Sequence, residues 1–117
     1  MAGKLKLKRA YEPAEPGDGR RVLVDRLWPR GVSKAEARID DWLKDVAPST
    51  ALRKWFGHKP ERWTAFRERY REELKANPAV ETLRQIIAEG HTTLVYGAKD
   101  TEHNQAVALA EYLQPSR

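Results

Sequence analysis

The sequence contains no cysteine. Thiol catalysis, disulfide bonds and thiolate metal sites are therefore excluded, and any chemistry must use oxygen, nitrogen or a bound cofactor. The sequence also lacks any apolar run near the roughly 18 residues that cross a bilayer. Residues 1–9 alternate Lys with Leu and do not look like a signal peptide. We therefore expect a cytoplasmic protein with no membrane partner.

Motifs for nucleotide phosphates and metals are missing as well. Neither G-x-x-x-x-G-K-S/T nor G-x-G-x-x-G occurs, and no serine stands in a nucleophile-elbow setting. The three histidines, His58, His91 and His103, lie far apart and show no metal-ligand spacing. His58 and His103 are candidate acid–base groups, although His58 follows WFG and can equally end a helix. We predict no metal and no cofactor, and the sequence does not indicate a reaction.

Positive charge is in excess. Twenty-two Lys and Arg stand against 17 Asp and Glu, which gives a formal net charge of +5. The excess favours an anionic partner such as a phosphate, a nucleotide or a nucleic acid, although Lys and Arg are also the commonest solubilising residues. Much of it lies in the first 30 residues.

The 117 residues, 40% of them hydrophobic, fit one domain over residues 1–117 with an ordered core from about 4 to 113. Residues 4–11 alternate Lys with apolar residues, which predicts an edge strand with Leu5 and Leu7 facing inward. Three consecutive apolar residues, 22–24, predict a second strand that is buried on both faces. The β-rich run 92–97 predicts a third strand.

Capping signals mark three of the predicted helices. Ser33 begins the first, Ser49 begins a second that Gly57 ends, and Asp100 is the expected N-cap of the last. Two longer amphipathic helices are predicted within residues 60–90. Because strands and helices alternate, we predict an α/β fold, a small three-layer sandwich with a mostly parallel sheet flanked by helices.

Two polar loops follow the predicted strands, at residues 25–31 and 96–104. The ligand crevice of a parallel sheet lies beyond the carboxyl ends of its strands. If the two strands run in the same direction, both loops therefore share one edge. The candidate catalytic residues are Asp25 and His103. The candidate ligand-binding residues are Arg26, Trp28, Arg30, Gly97, Lys99, Asp100 and Asn104.

The predicted ligand is a small anion, most simply one that bears phosphate. Gly97 permits close backbone approach, the amides that open the last helix face outward, and Lys99 brings a mobile positive charge. The arginines of the first loop would hold the anion together with Lys99. Asp25 would orient an arginine or act as a base, and His103 would carry a proton.

Three other interpretations stay open. The polar residues can be structural, with Trp28 packed over the sheet, residues 29–31 forming an exit turn and Asp100 only capping a helix. The protein can be a nucleic-acid-binding module that uses the same edge and the lysines at 4, 6 and 8. It can also be a structural or partner-binding domain whose charges only solubilise it. The sequence does not determine the oligomeric state.

Four segments together resemble a known family. They are VLVDRLWPRGVSK, IDDWLKDVAPS, LRKWFGH and TLVYGAKDTEHNQAV, and the resemblance runs from about Lys6 to Leu113. The sequence is similar to the YeaO-like branch of the Domain of Unknown Function 488 family. The resemblance implies a small three-layer α/β arrangement with a largely parallel sheet, and it implies no activity.

The resemblance bears on two further points. The short connection EPAEPGDG by itself favours an antiparallel hairpin, whereas the family suggests a compressed parallel crossover. Other branches carry cysteines and end the last loop with Cys-His-Arg, where this sequence has Glu102, His103 and Asn104. A thiol or metal role in those branches therefore does not carry over to this chain.

Overall fold

A sheet of four parallel strands forms the centre of the part of the chain that the structure, a computed structural model, describes, residues 4–114. Their spatial order is β1-β4-β2-β3. The strands are β1 (Leu5–Arg9), β2 (Arg20–Leu23), β3 (Asp41–Trp42) and β4 (Thr92–Tyr96). The predicted α/β class with a parallel sheet is therefore confirmed.

The two central strands, β4 and β2, are the two most buried ones. All of β4 is buried, and Val22, Leu23 and Val24 are fully buried, as their consecutive apolar residues predict. β1 and β2 both pair with β4 and lie on opposite sides of it. The connection over residues 10–19 is thus a compressed parallel crossover, as the family resemblance suggested.

Besides three one-turn 3₁₀ helices, the described chain has five α-helices. They are α1 (Lys34–Ala37), α2 (Thr50–Phe56), α3 (Trp63–Lys75), α4 (Ala79–Glu89) and α5 (Gln105–Leu113). The predicted caps of the first two are confirmed, because the hydroxyls of Ser33 and Ser49 each accept an amide hydrogen bond of 3.1 Å. Gly57 ends α2 in the left-handed conformation, with φ of 52°.

The two faces of the sheet are covered unequally. The apolar faces of α2, α3, α4 and α5 pack on one side around Val22, Val24 and Leu94. On the other side Leu23 and Val95 are covered by a smaller cluster from the loops and the α1 region, including Trp28 and Ile39. The third layer of the sandwich is therefore thin and mostly loop.

Two local predictions are wrong. Leu7 was expected to face inward, but it is 37% exposed on the edge strand, while the neighbouring Lys8 side chain is largely covered. Asp100 was expected to cap the last helix, but Asn104 is the N-cap and its side chain accepts the Val107 amide hydrogen bond at 3.0 Å. The last helix consequently begins four residues later than a cap at Asp100 requires.

Candidate ligand-binding site

A cavity of about 250 Å³ opens at the carboxyl ends of β2 and β4. The loops after both strands, the segment before α2, and parts of α2, α3 and α5 form its walls. Its apolar wall includes Leu27, Phe56 and Phe66, and its polar groups are Asp25, Arg26, Arg53, His58 and Gln105. This is the place that the parallel-sheet rule indicates for a ligand.

Asp25 and Gly97 join the two strand ends. The Gly97 amide donates a hydrogen bond of 2.9 Å to Asp25 Oδ2. A Cβ atom at position 97 would lie 3.1 Å from that oxygen, so glycine allows the approach without displacing the carboxylate. The predicted meeting of the two loops is confirmed. The close approach at Gly97, however, is made by a carboxylate of the protein itself and not by an external anion.

Further contacts fix Asp25 in place. The side-chain amide of Gln105 donates to Oδ1, and the indole of Trp42 donates to the backbone carbonyl at 2.7 Å. Among residues 4–114, no Lys, Arg or His forms an ion pair with this carboxylate. Asp25 is therefore held by neutral hydrogen-bond donors alone.

Burial raises the pKa of Asp25 to about 6. The hydrogen bonds from Gly97 and Gln105, and the charges of Arg53 and His58, oppose this rise but only in part. The carboxyl group therefore changes its protonation state close to neutral pH. Such a high pKa is uncommon for an aspartate and is typical of functional sites.

Arg26, the next residue, has unused hydrogen-bonding capacity in the same cavity. Its Nε atom is buried and has no partner, and its Nη2 atom makes only long hydrogen bonds of 3.4 Å to the carbonyls of Ala47 and Pro48. A buried polar donor without an acceptor costs about 1 to 3 kcal/mol. An acceptor from a ligand would remove that cost.

Two more basic side chains line the cavity from the end of α2. Arg53 lies in the last turn of the helix, and His58 follows the helix end. His58 has φ of 57°, a left-handed conformation that costs a non-glycine residue about 1 kcal/mol or more. The strained turn at Gly57 and His58 brings the imidazole to the cavity wall.

The other predicted residues of the first loop do not line the cavity. Trp28 packs with the smaller cluster on the opposite sheet face, and its indole donates to the Val32 carbonyl at 2.7 Å. Arg30 is exposed, and its carbonyl accepts a hydrogen bond from the Tyr11 hydroxyl. Both positions fit the structural interpretation of this loop as an exit turn.

The second loop also contributes less than its sequence suggested. Lys99 is exposed and lies outside the cavity lining. Asp100 accepts hydrogen bonds from the Glu102 and His103 amides and from the His103 ring at 2.9 Å, which closes a local turn. The His103 ring also packs edge-on against Trp63, and His103 is not among the residues that line the cavity. Asn104 is the buried helix cap described above.

Sequence reasoning therefore placed Asp25, Arg26 and Gly97 at the cavity and did not place Arg53 or Gln105 there. A signal for Gln105 existed, because it opens the helix that follows β4 and parallel topology brings that position to the same edge. Arg53 gave none, since it is one of several arginines on charged helix surfaces.

A second group of charges lies near the amino end of β2. The buried Asp18 carboxylate accepts hydrogen bonds from Arg21 at 2.6 Å, Lys8 at 3.0 Å and Lys6 at 3.4 Å. Burial alone would raise the pKa of Asp18, but the Glu15 amide, Lys8 and Arg21 outweigh it and lower the pKa to about 2. Two lysines of the predicted basic edge are thus ion-paired within the protein. The nucleic-acid alternative stays a prediction.

Two further observations concern other site classes. Within the described range 4–114, no three His, Asp or Glu side chains are grouped so that they could hold a metal ion. Over the same residues, every helix is too short or too polar to cross a bilayer.

The fold and the site define a class: a small parallel α/β domain with a cavity of mixed charge at the carboxyl edge of its sheet. A family model described as "Inactive DUF488-N3 subclade" matches residues 4–116, so the chain belongs to this family. It is 43% identical to the uncharacterised protein YeaO of Escherichia coli over 111 residues, 94% of this chain and 96% of that protein. The YeaO-like resemblance is confirmed.

A mycobacterial relative shows similar identity. The chain is 42% identical to an uncharacterised protein of Mycobacterium tuberculosis over 110 residues, which cover 94% of this chain and 93% of that protein. No solved structure matches the chain significantly.

Proposed function

We propose that this protein binds a small anionic ligand, most simply one that bears phosphate, in the cavity at the carboxyl ends of β2 and β4. The observation that carries the proposal is the buried Nε of Arg26, which has no acceptor within the protein. Guanidinium groups in such surroundings usually have a planar anionic partner. A bound phosphate or carboxylate would supply that acceptor.

The remaining basic side chains of the cavity support the same proposal. The two arginines, Arg26 and Arg53, stand against the single carboxylate of Asp25, and the His58 imidazole lines the same cavity. The excess of positive charge attracts anions and concentrates them in a concave, partly apolar site. Its volume of about 250 Å³ suits a metabolite smaller than the typical drug-sized ligand.

The family description favours binding over catalysis. Asp25, with a pKa of about 6, could serve acid–base chemistry, and this is the candidate catalytic role that the sequence suggested. The family is nevertheless described as inactive. Binding without a reaction reconciles a shaped, charged cavity with that description.

Thermal unfolding in the presence of inorganic phosphate tests the proposal. Because a ligand that binds only the folded state stabilises it, the melting temperature should rise with phosphate concentration at constant ionic strength. Arg26→Met and Arg53→Met should each weaken this response at least fivefold. Arg71→Met removes the same charge from an exposed position on α3 that does not line the cavity, so it should respond like the wild type.

A wild-type response in both cavity variants would contradict the proposal, as would no response to phosphate or to a panel of phosphorylated metabolites. Titration with single-stranded nucleic acid addresses the alternative partner, because such binding weakens steeply as salt rises.

A further inference from the structure

Two groups of opposite charge in the cavity lack a counter-charge among the described residues. Asp25 has no cationic partner among the described residues, and the Arg26 Nε has no acceptor. The two residues are adjacent in the chain and line the same cavity, yet they do not pair with each other. Arg53 and His58 act on the pKa of Asp25 through space but form no ion pair with it either. Both residues are partly buried, and charges withdrawn from water are normally paired, so this separation needs an explanation.

Asp25 retains room for one more contact on each carboxylate oxygen. Oδ2 accepts one hydrogen bond from the Gly97 amide, and Oδ1 accepts one from the Gln105 amide. A carboxylate oxygen has two lone pairs, so each atom can still accept another donor. The Gly97 and Gln105 contacts hold the carboxylate rigid without neutralising its charge, which preserves its attraction for a cation.

The apolar wall and the volume of the cavity limit the kind and the size of molecule that it can hold. Leu27, Phe56 and Phe66 supply apolar surface beside the charged groups. At about 250 Å³ the cavity holds a molecule of roughly six to ten non-hydrogen atoms, since a water molecule takes about 30 Å³ of liquid. Such a molecule is long enough for two charged ends and a short hydrocarbon spacer.

We infer that the ligand is a small zwitterion, in which a phosphate or carboxylate binds Arg26 and Arg53 and an ammonium group binds Asp25. This inference rests on the proposed anion site and adds its second half. One molecule with both charges would satisfy Arg26 and Asp25 at once. A plain anion would satisfy only the arginines and would lie near an uncompensated carboxylate.

Matched pairs of probe compounds test this inference by isothermal titration calorimetry at pH 7.5. 2-Aminoethyl phosphate and n-propyl phosphate differ only in the replacement of an ammonium group by a methyl group, and β-alanine and butyrate differ in the same way. The aminated member of at least one pair should bind at least tenfold more tightly. The two pairs together distinguish a phosphate end from a carboxylate end.

The variant Asp25→Asn locates the effect. It should abolish the preference for the aminated compound and leave the affinity for the methyl compound equal or higher, which also shows that the variant is folded. Glu102→Gln removes one negative charge from an exposed side chain outside the cavity and should keep the preference intact.

The outcomes separate the two proposals. If none of the four compounds binds, the anion site fails and the zwitterion inference fails with it. If both members of each pair bind equally to the wild type, the anion site stands and the zwitterion inference is overturned. A preference that survives Asp25→Asn unchanged overturns it too, because the ammonium group then binds elsewhere.

Discussion

An aspartate and an arginine lie near each end of β2, but only the pair at the amino end forms an ion pair. At the amino end, Arg21 Nη1 lies 2.6 Å from Asp18 Oδ2, and both side chains are almost completely buried. Asp25 and Arg26, at the carboxyl end, are adjacent in the chain, and their side chains form no ion pair with each other. The pKa of Asp18 falls to about 2, whereas that of Asp25 rises to about 6.

The difference separates structural charges from charges available to a ligand. Arg21 also has one buried nitrogen, Nη2, without a partner, but Asp18 neutralises its guanidinium and the Ala37 carbonyl accepts from its Nε at 2.9 Å. Asp18 and Arg21 therefore stabilise the fold as a pair. Asp25 and Arg26 each remain unneutralised, which costs stability and is explained best by a ligand.

The largest expected effect is the loss of the Asp18 charge. Asp18→Asn should lower the free energy of unfolding by roughly 3 kcal/mol or more, because it leaves the Arg21 guanidinium, only 4% exposed, without its counter-charge. Urea denaturation at pH 7 measures this. Glu15→Gln is the control, since the Glu15 side chain is 66% exposed and its ion pair should contribute less than about 1 kcal/mol. Equal costs for the two variants would show that Asp18 is not a structural anchor.

The loss of stability at acid pH should also depend on Asp18. The pKa of Asp18 is lowered from 3.8 to about 2 on folding, so the unfolded state binds more protons between these values. Its contribution of about 2 kcal/mol is present above pH 4 and is lost as the pH falls toward 2. Denaturation curves from pH 5 to 2 should therefore show a shallower decline for Asp18→Asn. An unchanged slope would contradict the ion-pair assignment.

At the carboxyl end of β2, the dependence of stability on pH should have the opposite sign. The pKa of Asp25 rises from 3.8 to about 6 on folding, so the folded state binds more protons and loses stability as the pH rises through this window. At pH 7, the free energy of unfolding of Asp25→Asn, measured by urea denaturation, should therefore be about 1 to 2 kcal/mol higher than that of the wild type. Below pH 4 the two proteins should have the same free energy of unfolding. A destabilised Asp25→Asn variant at pH 7 would mean that the carboxylate is structural.

The smallest effect separates the two arginines. Arg26→Met should lower the free energy of unfolding by no more than about 0.5 kcal/mol, because the side chain makes only long hydrogen bonds and no ion pair among the described residues, and the substitution also removes the unsatisfied Nε. Arg21→Met removes the counter-charge of Asp18 and should cost several times more. If both substitutions cost the same, Arg26 is as structural as Arg21.

Local signals predicted much of the fold. The caps at Ser33 and Ser49, the stop at Gly57 and the buried strand at 22–24 depend on neighbouring residues, and all are observed. The failures have non-local or competing causes. Lys8 turns toward Asp18, which the 10–19 crossover carries over the sheet, and Leu7 is exposed in consequence. Asp100 and Asn104 are both good capping residues, and Asp100 serves the loop turn while Asn104 serves the helix.

The sequence by itself determined the alternation of strands and helices, the central position of β2 and the placement of Asp25 and Arg26 just beyond its end. Only the tertiary structure decided which charges are neutralised. Asp25 meets an amide 72 residues away, and Asp18 meets lysines of a strand that β4 separates from β2. Such pairing depends on strand order and on burial. Neither is encoded in the spacing of charged residues along the chain, because a charge is stabilised or destabilised only by what folding brings within a few ångströms of it.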